Sequence, residues 1–181
     1  LLGADDKETA RAAAGALGRI ATGEAIGALT QHLGSAGPDL RVAVAEGLLA
    51  AAEHQVESGK QGAAVSIYQM LLDSDPLRHV QLGAFRGLAY AQPEKAPALL
   101  IAALKGEDGM LRDLAAQTIA ETSGNADTKR YVAAFAELPA TAQPALLRAL
   151  SGRGDLAARP VVVGAVASED SAVRNAAVKA L

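Results

Sequence analysis

The sequence predicts an all-α solenoid of stacked helix pairs, and three observations predict it: the composition, a phrase that recurs along the chain, and the turn residues between recurrences. Of 181 residues, 50% are hydrophobic, including 43 alanines and 24 leucines; the aromatics are Phe85, Phe135, Tyr68, Tyr90 and Tyr131. Alanine and leucine are the strongest apolar helix formers, and sparse strand-type residues argue against sheet. Small side chains also let helix axes approach closely.

The phrase is an acid, an arginine and then an apolar helix. Its fullest copy is Asp170-Ser-Ala-Val-Arg174-Asn-Ala176-Ala177-Val178. It recurs at Asp108 to Ala116 with Arg112, at Asp75 to Arg78, at Asp39 to Ala43 with Arg41, and around Arg11. Arg11, Arg41, Arg78, Arg112 and Arg174 are expected at equivalent positions, with intervals of 30, 37, 34 and 62 residues. The last interval is two periods of 31 if one copy has lost its arginine near Gln143. A period of this size signals stacked helix pairs.

Between these phrases a small residue leads into helically spaced Leu or Val, as in Ala25 to Leu33, Ala96 to Leu104 and Ala158 to Val166. First helices are expected near 6–21, 39–57, 76–91, 110–122, 140–151 and 171–181. Second helices are expected near 24–33, 61–73, 93–105, 126–137 and 156–167. Pro76 and Pro93 are expected to start helices, where a missing N–H costs nothing. Pro97, Pro144 and Pro160 fall inside the expected helices and should bend them. Gly34 to Pro38, Gly106 to Gly109, Ser123 to Asn125 and Gly152 to Gly154 are turns.

The acid-x-x-x-Arg-x-Ala-Ala phrase of Asp170 to Ala177 and the Ala-x-Pro-x-Leu-type phrase of Ala96 to Leu100 resemble the HEAT repeats of the short bacterial type called PBS-lyase HEAT-like repeats. The resemblance covers essentially residues 1–181. It implies a right-handed α-solenoid, an alpha-alpha superhelix, of about five stacked helix pairs plus an extra terminal helix, in one array. The copy near 140–151 lacks the arginine, and an extended stretch at 50–62 departs from the pattern. Leu1 to Asp6 matches the close of a second helix, and 172–181 is a first helix without a following partner. The chain is accordingly expected to be an internal fragment of a longer array, in which any dimer through exposed array ends would be artificial.

Cysteine is absent, so this segment holds no disulfide, thiolate nucleophile or Cys-ligated metal. His32, His54 and His79 show no pairing that would supply metal ligands from one helix face. No phosphate-loop, nucleophile-elbow or cofactor motif is present. The longest apolar run, Val161 to Ala167, is far short of the ~18 residues a membrane span needs. The resemblance implies a soluble bacterial protein, cytoplasmic or periplasmic.

Asp39, Asp75, Asp108 and Asp170 are expected to cap helix N-termini, while the arginine stems pack on a neighbouring repeat and their heads bond a carboxylate or loop carbonyl. An anion-binding ladder of the same arginines is the functional alternative. The net charge is -3, yet residues 129–160 carry +3. Lys129, Arg130 and Arg159, accompanied by Tyr131, form the candidate partner-binding patch, on successive inner helices where a negatively charged segment could dock.

Stacked helix pairs make a long surface without a deep pocket, which suits another protein or an extended peptide. The expected function is therefore a non-catalytic protein-protein interaction scaffold without cofactor. The resemblance also raises a chromophore (bilin) lyase-like role. Nucleic-acid binding is disfavoured by the negative charge and absent tryptophan.

Overall fold

The computed structural model describes residues 2–3, 6–74, 77–122 and 125–181, and among them every regular element is helical. The chain divides into two compact units, Leu1–Gln92 and Pro93–Leu181. Each has its own two-layer helical packing.

The first unit holds α1 (Lys7–Ile20), α2 (Gly23–Leu33), α3 (Pro38–Glu57), α4 (Gln61–Asp73) and α5 (Arg78–Ala91). Helices α1, α3 and α5 pack on one another in succession, with α2 and α4 filling the other layer against α3. Helices α1 and α3 approach closely, with Gly18 against the Gly47 backbone and Gly47 against the Ala14 carbonyl. Leu29, Val44, Leu48, Leu71 and Val80 form the core. Of the extended stretch at 50–62, residues 50–57 continue α3, a 20-residue helix, 58–60 turn, and 61–62 open α4. The extra length of α3 carries the buried Gln55, whose Nε2 donates to the Ala21 carbonyl at 2.7 Å. Ala21 ends α1 with φ of 48°, so this bond fixes a strained turn from outside it.

The second unit holds α6 (Ala96–Lys105), α7 (Gly109–Glu121), α8 (Asn125–Ala134), α9 (Gln143–Arg153), α10 (Arg159–Ala165) and α11 (Ser171–Ala180). A 3-10 turn, Phe135–Glu137, follows α8, and another, Leu156–Ala158, precedes α10. Helices α7, α9 and α11 pack successively in one layer; α6, α8 and the turn before α10 follow one another in the second. Leu100, Leu104, Ile119, Tyr131, Leu146, Leu147 and Leu150 form the core.

The prolines correct the expected boundaries. Pro97, Pro144 and Pro160 each occupy one of the first two positions of α6, α9 and α10, so they remove no ladder hydrogen bond and bend nothing. Pro93 precedes α6 in a turn, and Pro76 lies outside the described residues. No helix of the described residues is long and apolar enough to cross a membrane.

Candidate functional site

A helix start is defined here by its N-cap, and the expected arginine positions can be measured from it. Arg41, Arg112 and Arg174 each lie four residues after the cap, their N–H groups donating to the cap carbonyls of Gly37, Asp108 and Asp170. Gln143 opens α9 directly after its cap Ala142, yet its N–H makes the same bond four residues back, to the Pro139 carbonyl, and it stands 31 residues from both Arg112 and Arg174. Arg11 lies one residue later in α1, and Arg78 opens α5 directly after its cap Leu77. The five arginines are therefore not all equivalent, because α1 and α5 enter their helices at different offsets.

Asp108 accepts from the Leu111 N–H at 3.1 Å, and Asp170 from those of Ala172 and Val173 at 2.8 and 3.1 Å, as N-caps should. Asp39 does not cap. Gly37 is the cap and Pro38 takes the first position, which shifts Asp39 into the first turn, where its carboxylate meets Lys7 at 3.2 Å and Arg11 at 3.8 Å across α1 and α3. Asp75 lies outside the described residues. Asp6 is an N-cap that the repeated phrase did not single out. The Thr9 hydroxyl and N–H both donate to its carboxylate and hold its pKa below the ordinary value.

What the arginine heads touch follows from the loop before each helix. Arg112 donates to the Gly106 carbonyl at 2.8 Å, and Arg174 to those of Ser168 and Glu169 at 2.8 and 2.7 Å. Gln143 donates to Leu138 and Phe135 carbonyls at 3.2 and 3.5 Å. These are loop carbonyls directly upstream of the same helix, and a guanidinium there satisfies acceptors that helix ends leave open. Arg41 differs: it reaches the Ser74 carbonyl, 33 residues on, at the end of α4. Arg78 donates to the Gln81 side chain.

The expected positive patch is reorganised. Tyr131 is 1% exposed, so it belongs to the core and not to a binding surface. Arg153 lies over its ring, 5.6 Å from the centroid. Burial raises the Tyr131 hydroxyl's pKa, with Asp127 adding to the rise and Arg153 opposing it. Lys129, Arg130 and Arg159 are exposed. Arg130 stands 4.0 Å from Asp127 and donates to the Glu94 carbonyl at 3.3 Å, which ties α8 to the turn before α6. Lys129 acts on Asp155, whose pKa is lowered first by the Ala157 N–H and then by Thr128, Arg153 and Lys129.

Arg153 is the residue the sequence reading underrated. Its Nη1 donates to the Ile119 carbonyl at 2.7 Å, to the Thr122 carbonyl and to the Thr122 hydroxyl at 3.2 Å, while Nε donates to the buried Thr128 hydroxyl at 3.0 Å. One side chain thus joins the ends of α7 and α9 to α8. An arginine in the last turn of a helix ordinarily reads as a solvated cation favoured by the dipole. The available signal was the pair of threonines, Thr122 at the end of α7 and Thr128 in α8.

Two grooves lie between helices of one layer. One is walled by Asp113, Ala116, Gln117 and Ala120 of α7 and Ala145, Arg148 and Ala149 of α9. Another is walled by Arg11, Gly15 and Arg19 of α1 and Ala43, Glu46, Gly47 and Ala50 of α3. The histidines are dispersed: His32 contacts the Ala28 carbonyl, His54 the Ser58 hydroxyl, and His79 the Glu46 carboxylate at 3.0 Å. Among the described residues no three His, Cys, Asp or Glu side chains group as metal ligands. Of the aromatics only Tyr90 is exposed, so little aromatic surface is available to a tetrapyrrole. No family model matches the chain, and a search of curated proteins finds none similar to it.

Proposed function

We propose that the chain is a non-catalytic scaffold for another protein or an extended peptide, each of its two helical units a HEAT-like stack of helix pairs. The observation that carries this reading is the register of the paired helices. In the α1–α3 and α7–α9 grooves alike, the second wall carries alanine or glycine two and six residues after the residue at the arginine position, at Ala43 and Gly47 after Arg41 and at Ala145 and Ala149 after Gln143. A unit repeated in one direction extends its outer surface with every copy and encloses no substrate-sized chamber. Open faces of this kind bind partners by area and charge.

The partner contact is the basic wall of Lys129, Arg130 and Arg159, taken without Tyr131. Its chemistry suits an acidic segment, since exposed cations steer and register such a partner while adding modest affinity. The test compares proteins captured from the source organism's lysate by the wild-type chain and by a Lys129→Glu/Arg130→Glu/Arg159→Glu variant, read by mass spectrometry. Loss of specific proteins from the variant, recovered at low salt but not high salt with the wild type, supports the reading. The same proteins on both baits, or none on either, sinks it.

A further inference from the structure

In the unit Pro93–Leu181, α6, α8 and α10 each begin on exposed cations: Lys95, the cap of α6, Lys129 and Arg130 in the first turns of α8, and Arg159 at the start of α10. The stripes of α6 and α8 run side by side in one direction. At their starts Arg130 donates to the Glu94 carbonyl at 3.3 Å, next to Lys95, and at their ends Lys105 meets Glu137 at 2.7 Å. The first turns of α8 are joined to α10 through Asp155, the cap of the turn before Arg159. Its carboxylate is bonded by Thr128 and acted on by Lys129. Arg130 thus faces α6 and Lys129 faces α10, and the cations form one row, Lys95, Arg130, Lys129 and Arg159, across the three helices.

Three carboxylates border the row. Asp127 is half-buried 4.0 Å from Arg130, Asp155 is half-buried with the Ala157 N–H on it, and Glu94 is exposed. Among the described residues Lys95, Lys129 and Arg159 have no ion pair. Spacing then selects the occupant. Helices packed in one layer lie about 8–10 Å apart. A β-strand returns side chains to one face every two residues, about 6.6 Å, and falls out of step with that spacing. A polyproline II segment returns them every three residues, about 9.3 Å, and keeps step. A helix would need apolar pockets for its anchors, whereas the exposed residues beside the row, Ala98 and Ala133, offer only methyl groups.

We infer that the basic wall extends onto α6 through Lys95 and takes an acidic segment in the polyproline II conformation, laid across α6, α8 and α10 with a carboxylate at every third residue. This rests on the basic wall proposed above and adds its fourth cation, the direction of the bound segment and the spacing of its charges. Ala98 and Ala133 leave level ground under the residues between the carboxylates, so proline and alanine are accepted there.

The test measures, by fluorescence anisotropy at low salt, the binding of two labelled peptides of one composition to the complete chain. One repeats Glu-Pro-Ala four times; the other gathers the same four glutamates into one block. The wild type is expected to bind the repeating peptide at least about fivefold more tightly than the block, the scale of one exposed ion pair kept in step. Lys95→Glu should weaken the repeating peptide by about the same factor and leave the block little changed. Circular dichroism checks that this variant folds, as a carboxylate suits the start of a helix. Equal binding of the two peptides overturns the inference, and so does a Lys95→Glu chain that holds the repeating peptide as the wild type does. If the Lys129→Glu/Arg130→Glu/Arg159→Glu variant then loses both peptides, the basic wall survives as a partner site without this spacing. If neither peptide binds the wild type, the inference and the wall fall together.

Discussion

Gly18 of α1 and Gly47 of α3 pass so close that neither has room for a side chain: a Cβ on Gly47 would lie 2.7 Å from the Ala14 carbonyl oxygen, and one on Gly18 would strike the Gly47 backbone. Alanine at either site must push two helices apart, since the obstacle is main chain. Gly18→Ala and Gly47→Ala are each expected to cost about 1–3 kcal/mol in denaturant melts. Gly27, exposed inside α2 with nothing near its missing Cβ, gives the opposite sign. Gly27→Ala should stabilise by about 0.5–1 kcal/mol.

Removing the Arg153 side chain takes one donor from the Ile119 carbonyl, the Thr122 carbonyl and the Thr128 hydroxyl at once, leaving Ile119 the Thr122 hydroxyl and Thr128 the Asp155 carboxylate. Arg153→Ala is expected to lower unfolding free energy by about 3 kcal/mol, the scale for partly buried bonds to a charged donor. Lysine should recover only part of this, because an ammonium cannot fork between two carbonyls and also stack on Tyr131. Tyrosine fluorescence and the midpoint in urea would report both.

The three aspartates separate by what they cap. Asp108→Ala and Asp170→Ala should each cost about 1 kcal/mol, the usual loss for an N-cap. Asp39→Ala removes only exposed pairs to Lys7 and Arg11 and should stay within about 0.5 kcal/mol. Thermal melts of the three variants at one ionic strength decide the order.

Alkaline stability should depend on Tyr68. Burial, helped by Glu53 and opposed by Arg86, pushes its hydroxyl up to about 12. An unfolded tyrosine ionises near ~10, so in the interval the native state holds a proton that the unfolded chain has released. The contribution is whole below pH ~10 and is lost as pH rises toward about 12. Tyr68→Phe is expected to flatten the fall of stability across that window in urea melts at stepped pH.

The helical class and alternation of helices were legible because alanine, leucine and a recurring acid-to-arginine phrase are local signals. The vacancy at Gln143 was legible from spacing alone, and the glutamine there bonds the same kind of loop carbonyl. Helix starts were less legible. A proline may stand before a helix, at its first turn or inside it, and the residues before α6 and α9 form turns that lead into the helix. Arg78 and Arg11 slipped from register because repeat spacing cannot locate a cap. Tyr131 read as surface beside Lys129 and Arg130, since nothing local shows that an arginine 22 residues away closes over it.

The equivalence of Gln143 with Arg112 and Arg174 underlies the repeat register of the second unit. Chemical denaturation of Gln143→Arg against Gln143→Leu tests it most directly. With the register as described, arginine reaches the carbonyls of Phe135 and Leu138, and the variant keeps wild-type stability or exceeds it. Leucine, which leaves those carbonyls without their donor, should lose about 1–2 kcal/mol. An arginine variant as destabilised as the leucine variant would contradict the shared register.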